Sequence, residues 1–288
     1  MTISSPKTVL QRLGLRPEKA RGQNFLIHPH QARRIVAALE LGPQDQVVEV
    51  GPGLGALTVF LAQEAGRVVA VEVDRALAAY LQDELFAGEP RVQVTCQDAL
   101  RFDFLGEARE AGHPLVVVGN LPYQITSPLL FKLAEEKGAM SRAVLMMQQE
   151  VGARLTATPG TKDYGVLSVL LQYHFAMTRL FPLGPANFYP PPQVISVVMK
   201  LTPRDPEPRA RDEAFFAQVV KAAFATRRKT LRNTLAAKSS TLGLDAAQVL
   251  AVLKALEIDP GRRGETLSVS QFVHLSNGLG ARRERGRG

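Results

Sequence analysis

The sequence contains few residues of the kinds that form disulfides, metal sites or membrane spans. One cysteine among 288 residues, Cys96, excludes an internal disulfide and suits a reducing compartment. The five histidines are scattered, without the Cys–His spacing of a metal site. No apolar run approaches the ~20 residues of a membrane span, and the amino terminus lacks a signal peptide's apolar core. We therefore expect a cytoplasmic protein without a metal, with Cys96 as a buried, inert thiol.

Positive charge is concentrated toward the carboxyl end of the chain. The net charge is +8, and residues 201–288 hold 16 Lys and Arg against 9 Asp and Glu. Residues 1–200 hold 19 basic and 18 acidic residues, so this part is almost neutral. We interpret the asymmetry as a catalytic unit followed by a unit that binds a polyanion. A basic surface that only improves solubility is the other interpretation.

Strand-like and helix-like segments alternate through the first half of the chain. The predicted strands are residues 47–50, 68–73, 92–96, 115–118 and 143–147, and helical stretches separate them. Such alternation implies right-handed crossovers, a parallel sheet and helices on both faces. The sequence therefore predicts an α/β, Rossmann-like fold with a mostly parallel sheet, whose ligand crevice lies at the carboxyl ends of the strands.

The second half of the chain predicts a change of architecture. The apolar runs 166–175 and 194–201 are predicted to be two more strands, which extend the sheet in antiparallel fashion. Residues 202–211 are rich in proline and charge and read as a linker, and the patterns beyond are helical. We expect a catalytic domain at residues 1–203, with an amino-terminal extension at 1–30, and a small, basic, helical domain at 204–288.

A glycine-rich loop follows the first predicted strand and opens a helix. Gly51 and Gly53 permit a tight turn and close approach of a ligand, and Glu72 ends the next strand, where it can accept hydrogen bonds from ribose hydroxyls. This pattern also fits a nicotinamide dinucleotide. Against that cofactor, no hydride-transfer constellation is visible. Asp98 and Asn120 follow two further strands and favour S-adenosylmethionine.

The segment Asn120-Leu121-Pro122-Tyr123 follows a buried strand and suits the binding of a planar, amino-bearing base. The Asn120 side-chain oxygen and the Leu121 carbonyl are two acceptors for an exocyclic amino group. Pro122 stiffens the turn, and Tyr123 offers a stacking surface. A simple strand-ending turn with a buried tyrosine is the alternative interpretation.

Seven motifs in a fixed order resemble the ribosomal RNA adenine dimethyltransferase family, over about residues 17–275. They are residues 21–26, 49–55, 72–74, 98–99, 120–123, 188–196 and 224–233. The last of them contains Arg-Arg-Lys-Thr-Leu-Arg-Asn, which a generic methyltransferase lacks. This resemblance implies S-adenosylmethionine as cofactor and rRNA as substrate.

The resemblance also implies a role for individual residues. Those expected to bind the cofactor are Asn24, Leu26, Gly51, Gly53, Glu72, Asp98, Ala99 and Asn120. Those expected at the target adenine are Asn120, Leu121, Tyr123 and Phe188, with the two aromatic rings as a clamp. Those expected to contact RNA phosphates, on one basic helix, are Arg227, Arg228, Lys229 and Arg232.

The expected reaction is the transfer of methyl groups to N6 of two adjacent adenines near the 3′ end of 16S rRNA. The expected partner is the small ribosomal subunit, with a role in its biogenesis, and the chain is expected to act as a monomer. Three alternatives stay open: a large-subunit rRNA dimethyltransferase of the antibiotic-resistance type, a DNA adenine methyltransferase, and a mainly non-catalytic assembly factor. The DNA enzymes usually have proline in place of Leu121.

Overall fold

A computed structural model describes residues 5–18, 22–226 and 228–285. Its contacts divide the chain into two compact units, Met1–Gly152 with Phe175–Pro203, and Ala153–His174 with Arg204–Gly288. In the described ranges, no helix is both long enough and apolar enough to cross a membrane.

The first unit is built on strands that form two sheets. They are β1 (Phe25–Leu26), β2 (Gln46–Val50), β3 (Arg67–Glu72), β4 (Val92–Cys96), β5 (Leu115–Asn120), β6 (Met140–Gln148), β7 (Phe175–Leu183), β8 (Phe188–Tyr189) and β9 (Ser196–Pro203). The large sheet has the order β4-β3-β2-β5-β6-β9-β7, and β1 pairs with β8 in a separate two-stranded ladder.

The described helices share a common pattern of apolar residues turned toward the core. They are α1 (Pro6–Arg12), α2 (Pro29–Ala37), α3 (Thr58–Glu64), α4 (Arg75–Tyr80), α5 (Phe104–Ala111), α6 (Thr126–Glu135), α7 (Gln149–Leu155), α8 (Val166–His174), α9 (Glu213–Ala223), α10 (Leu231–Ala236), α11 (Ala246–Ala255) and α12 (Val269–Arg285). A π-helical turn, Leu81–Leu85, continues α4.

The parallel part of the sheet confirms the predicted α/β fold. Strands β4, β3, β2, β5 and β6 are mutually parallel neighbours, and they correspond to the five strands predicted from the sequence, with β3 ending one residue earlier than predicted. Strand β2 is buried along its whole length, as expected of a central strand covered on both faces. The strand order reverses between β2 and β5, so a crevice opens there at the carboxyl ends.

The antiparallel extension differs from the prediction in one strand. Strand β9 lies between β6 and β7 and is antiparallel to both. The run at 166–175, predicted as a strand, is helix α8, and the sixth strand of the sheet begins only at Phe175. A continuous apolar run has no periodicity that separates a buried strand from a buried helix. The Ser168 hydroxyl accepts from the Gly165 amide (3.0 Å) and donates to the Arg154 carbonyl (2.6 Å), which supports the helical start.

The prediction of a buried Cys96 is wrong, because this residue is exposed at the end of β4. Strand β4 lies at the edge of the sheet, and every residue in it is partly or fully exposed. An apolar run therefore did not imply a buried strand here. The single thiol is accessible to solvent.

The second unit has an aromatic core of its own. The rings of Phe224 and Phe272 are stacked with centroids 5.7 Å apart, and Tyr164 contacts Phe224 edge-on at 6.2 Å. The Tyr164 hydroxyl donates to the Leu267 carbonyl at 2.9 Å, so its buried polar atom is satisfied. Helix α11 begins with a reciprocal capping box between Asp245 and Gln248.

Candidate active site at the carboxyl ends of the strands

A cavity of about 260 Å³ lies at the carboxyl ends of β2 to β5, in the first unit. All eight residues predicted to bind the cofactor line it: Asn24, Leu26, Gly51, Gly53, Glu72, Asp98, Ala99 and Asn120. They come from five separate segments of sequence, and the parallel topology brings them to one edge of the sheet. Their individual roles stay predictions.

The glycine loop after β2 has a backbone that suits glycine in both conformation and space. Gly51 and Gly53 have φ values of +68° and +59°, where other residues are strained. A Cβ atom on Gly53 would lie 3.1 Å from two ring carbons of Phe25. The loop therefore leaves bare backbone at the cavity wall, with the aromatic ring of the amino-terminal segment directly against it.

Glu72, at the end of β3, has a carboxylate held by two backbone amides. Its Oε2 accepts from the Gly53 amide at 3.0 Å and its Oε1 from the Asp74 amide at 2.9 Å. Burial raises the pKa of this carboxyl, and the two amide hydrogen bonds oppose the shift. Because each carboxylate oxygen can accept more than one hydrogen bond, Glu72 can still receive hydroxyl donors from the cavity.

Glu49 is a cavity residue that the sequence reasoning did not assign. Its side chain is buried, and its Oε2 accepts a hydrogen bond from the Thr58 hydroxyl at 2.6 Å. Burial, together with the nearby charge of Glu72, raises the pKa of Glu49 to about 8, although the Thr58 hydrogen bond opposes the shift. Its place as the first residue of the glycine-rich motif is the sequence signal that could have identified it.

Asp98 follows the edge strand β4 and caps the short 3-10 turn Ala99–Arg101. Its Oδ1 accepts from the Leu100 amide at 2.9 Å, and both Asp98 and Ala99 line the cavity. Within the described part of the chain, no group donates to the other oxygen, Oδ2. That oxygen remains an acceptor for a ligand amino group.

Residues 22–27, here called the strap, pass over the cavity and are fastened at both ends. Strand β1 of the strap pairs with β8 in antiparallel register, with Leu26 opposite Phe188. The Ile27 amide donates to the Asn187 carbonyl at 2.9 Å and continues the ladder. Toward the other end, the Gln23 side-chain amide donates to Asp74 Oδ2 at 3.4 Å. The amino-terminal motif and the proline-rich motif therefore meet beside the cavity.

The orientation of the Asn120 side chain follows from its partner on the strap. Its amide lies 2.8 Å from the backbone carbonyl oxygen of Asn24. Because a carbonyl can only accept, the facing atom must be the nitrogen Nδ2, and Nδ2 is the donor. Oδ1 is thus left as an acceptor at the cavity wall, which Asn120 lines.

The turn after Asn120 is held by backbone and side-chain hydrogen bonds. The Leu121 amide donates to the Met146 carbonyl at the end of β6 (3.0 Å). The Pro122 carbonyl accepts from the Ile125 amide (3.1 Å) and from the buried Thr126 hydroxyl (3.0 Å). Among the described residues, none donates to the Leu121 carbonyl. The two predicted acceptors are thus adjacent on a rigid turn.

The predicted aromatic clamp is not assembled at the cavity. Neither Tyr123 nor Phe188 is among the described residues that line it, and their rings form no contact with each other. Tyr123 is partly exposed, whereas Phe188 is 4% exposed and packs in the core with Leu183 and Val198. Of the four residues predicted at the target adenine, only Asn120 lines the cavity; Leu121 is buried beside it and the two rings lie apart.

The predicted RNA-binding residues belong to the second unit. Arg228, Lys229 and Arg232 are exposed and form no ion pair with any residue in the described ranges, and Arg227 lies outside those ranges. Helix α10 begins only at Leu231, so the prediction that these cations lie together on one basic helix is wrong. Arg228 and Lys229 lie in the turn that precedes the helix. The three cations are nevertheless close in sequence and free to bind an anion.

The described residues contain no group of three or more His, Cys, Asp or Glu side chains that could hold a metal ion. The polar groups that line the cavity are backbone groups, side-chain amides and carboxyl groups.

Comparison with known proteins identifies relatives along nearly the whole chain. The chain is 45% identical to the ribosomal RNA small subunit methyltransferase A of Geobacter metallireducens, over 92% of this chain and 96% of that protein. Among solved structures, a dimethyladenosine transferase from Plasmodium falciparum superposes with a TM-score of 0.73 at 26% identity, covering 87% and 95% of the two chains. The 23S rRNA methyltransferase ErmE superposes with a TM-score of 0.65 at 27% identity, covering 89% and 100%.

A family model matches residues 15–275, a range that includes the glycine loop, the Asn120 turn and the basic segment before α10. The order of motifs, the cavity they line and this match agree, and the chain belongs to the ribosomal RNA adenine dimethylase family.

Proposed function

We propose that this chain transfers methyl groups from S-adenosylmethionine to N6 of two adjacent adenines near the 3′ end of small-subunit rRNA, giving N6,N6-dimethyladenosine. The observation that carries the proposal is the fixed amide of Asn120, whose Nδ2 is bound to the Asn24 carbonyl at 2.8 Å. Its free oxygen and the Leu121 carbonyl form a pair of acceptors. Such a pair suits an exocyclic NH₂ group.

The cavity residues fit S-adenosylmethionine better than a dinucleotide. Three carboxyl side chains line the cavity, those of Glu49, Glu72 and Asp98, and no Lys or Arg is among its described lining residues. A pyrophosphate would therefore face carboxylates without a cation, whereas a ligand with an ammonium group, ribose hydroxyls and an adenine amino group is matched by acceptors. When bound, S-adenosylmethionine supplies an electrophilic methyl group.

The residues of this chain activate the target mainly by orientation. The N6 lone pair of adenine is delocalised into the ring, which makes this nitrogen a weak nucleophile. When Asn120 Oδ1 and the Leu121 carbonyl accept its two N–H bonds, the amino group is held in one orientation with its lone pair directed toward the electrophile. Positioning of this kind supplies much of an enzyme's acceleration. After the first transfer one N–H remains, and one acceptor can hold it for the second.

Proton removal requires no dedicated base in this scheme. No histidine is among the described lining residues of the cavity. An aromatic amine becomes strongly acidic only after it is alkylated, so its proton can leave to water after the methyl group has moved. The chain's contribution is then the geometry of the attack.

The aromatic residues near the turn are proposed to hold the target base out of its stack. Tyr123 follows the Asn120 turn and is partly exposed, so it can stack on an extruded purine. Phe188 is proposed as the second face. Because it is 4% exposed, it can meet a base only when the packing around it opens. Stacking is worth on the order of 1–3 kcal/mol per base.

The RNA itself is proposed to be positioned by the second unit, through Arg228, Lys229 and Arg232. Contacts of this kind bind phosphates without reading sequence. We also propose that the chain acts as a monomer in the cytoplasm, where small subunits are assembled, and that it takes part in their biogenesis. A mainly non-catalytic assembly role is not favoured, since the acceptors and the glycine loop are complete.

The large-subunit alternative is supported less well. The fold is shared with a 23S rRNA enzyme at 27% identity, whereas the relative named for the small subunit is 45% identical. Labelled S-adenosylmethionine, incubated with the protein and under-methylated small or large subunits, separates the two, with mass spectrometry to map the product. We expect N6,N6-dimethyladenosine at two adjacent positions in the 3′-terminal hairpin of small-subunit rRNA. Label confined to large subunits, or no label, would refute the proposal.

A further inference from the structure

The first 200 residues are almost neutral in total, but their basic and acidic residues are unevenly distributed along the sequence. Residues 1–39 contain seven Lys and Arg and one acidic residue, Glu18, whereas residues 40–200 contain 12 basic and 17 acidic residues. The positive charge of the first unit is therefore concentrated in its amino-terminal segment. This segment includes the strap and helix α2.

Helix α2 carries part of this charge on a continuous exposed surface, here called the α2 basic face: His28, His30, Arg33 and Arg34. His30 lies one helical turn before both arginines, so the three side chains are neighbours on the helix. The imidazole rings of His28 and His30 have centroids 5.5 Å apart. All four residues are exposed, and α2 contains no acidic residue.

Each of the two arginines lies over an aromatic ring and is not neutralised by an acidic side chain in the described part of the chain. The Arg34 guanidinium lies 4.0 Å from the centroid of the Phe181 ring, and that of Arg33 lies 5.0 Å from the centroid of Phe60. Neither forms an ion pair with any residue that the structure describes, in contrast to Arg142, which is paired with Asp45 at 2.7 Å. A guanidinium over a ring loses rotational freedom but keeps N–H donors at its edge, an arrangement suited to phosphate. In Arg34 one of these donors, on Nη1, is used by the Gln31 side-chain oxygen at 2.8 Å.

The α2 basic face lies directly beside the candidate active site along the chain. Leu26 lines the cavity, and α2 begins three residues later at Pro29. Three residues of chain span at most ~11 Å. The start of this face is therefore within reach of the backbone of an RNA strand that delivers a base to the cavity.

We propose that the α2 basic face binds the phosphates of the rRNA strand that flanks the target adenines, with Arg33 and Arg34 as its main contacts. This inference rests on the proposed function and adds a second phosphate-binding surface, in the first unit, to the one proposed in the second unit. The face holds the backbone next to the strap. It contributes to affinity and register and carries no base specificity.

The test compares Arg33→Gln/Arg34→Gln with a control that loses the same charge elsewhere. The control is Arg67→Gln/Arg91→Gln, at the opposite, amino-terminal edge of the sheet, where both side chains are exposed. Binding to under-methylated small subunits is measured against salt concentration. We expect the α2 variant to bind roughly tenfold more weakly, with a log–log salt slope reduced by about 2, one for each lost phosphate contact. The control should keep the wild-type slope.

Two further measurements separate charge from packing and from catalysis. Arg33→Lys/Arg34→Lys keeps the charges, and we expect it to retain most of the salt slope; a loss equal to that of the Gln variant would assign the effect to packing on the rings and overturn the inference. An unchanged slope in the Gln variant would also overturn it. Wild-type protein is assayed in parallel for N6,N6-dimethyladenosine, because failure of that assay counts against the proposed function and not against phosphate binding.

Discussion

At the scale of single residues, the proposed chemistry depends on how one amide is oriented. Asn120 is fixed by a backbone carbonyl of the strap, so its nitrogen is occupied and its oxygen is available. We expect Asn120→Ala to lower kcat by about 10²-fold or more, because the target amine is no longer oriented, and to weaken S-adenosylmethionine binding far less, because the other residues that line the cavity remain. Calorimetry of cofactor binding and single-turnover methylation measure the two quantities.

A matched control for this substitution removes an amide outside the cavity. Gln82→Ala, at an exposed position of the π-helical turn, should leave both quantities at wild-type values. If Asn120→Ala turned over at the wild-type rate, Asn120 would have no part in the reaction.

The buried carboxyl of Glu49 predicts a pH dependence of stability. It has a pKa of about 8 in the folded chain against 4.5 as an ordinary glutamate, so the folded state holds a proton that the unfolded state releases between these values. Stability of the cofactor-free protein therefore falls as pH rises through this window, by at most ~1.4 kcal/mol per pH unit. Glu49→Gln removes this contribution.

Denaturant unfolding at pH 5 and pH 8, without cofactor, tests the assignment. We expect the unfolding free energy of Glu49→Gln minus that of wild type to be more positive at pH 8 than at pH 5. An equal difference at the two pH values would mean that Glu49 is ionised in the folded protein over this range.

At the scale of elements, the glycine loop and the strap act together, because the Phe25 ring lies against the loop. Gly53→Ala places a methyl group 3.1 Å from that ring at a φ of +59°. We expect a stability loss of ~1–2 kcal/mol from the backbone conformation and, in addition, an approximately tenfold loss of cofactor affinity from displacement of the strap.

Gly112→Ala separates the two effects. Gly112 has a φ of +75° at the end of α5, and no atom lies within 4 Å of its added Cβ. It should lose similar stability and no cofactor affinity, as measured by thermal unfolding and calorimetry. Equal cofactor affinity in both variants would show that the strap does not depend on Gly53.

At the scale of the whole molecule, cofactor and RNA binding are expected to be separable. The carboxyl-lined cavity belongs to the first unit, and the exposed cations Arg228 and Arg232 belong to the second. We expect Arg228→Glu/Arg232→Glu to weaken binding to small subunits and to reduce the salt slope by about 2, with cofactor affinity unchanged. Lys221→Glu/Lys254→Glu changes the same charge on α9 and α11 and should bind RNA nearly as wild type does. Equal losses of small-subunit binding in both variants would indicate that the second unit attracts RNA only through long-range electrostatics and not through contacts at Arg228 and Arg232.

Local sequence patterns were sufficient to predict the position of a residue where its type has one characteristic structural role. The strand-end positions of Gly51, Glu72, Asp98 and Asn120 predicted a common site, because parallel strands bring their carboxyl ends together whatever the details of packing. Local sequence patterns gave wrong predictions where the secondary structure or exposure of a segment depends on how it is buried in the fold. The run at 166–175 had no period that distinguishes helix from strand, and Cys96 is exposed because β4 lies at the edge of the sheet.

The sequence by itself determined the α/β architecture, the family and the residues around the cavity, because these follow from periodicity and from motifs in a fixed order. Only the tertiary structure decided which atom of Asn120 faces the cavity, that Glu49 is a buried member of it, and that Phe188 packs away from it. Each of these depends on a partner distant in the chain: the Asn24 carbonyl, the neighbouring strands β3 and β5, and the β1–β8 ladder. Contacts of that kind leave no local pattern in a single sequence.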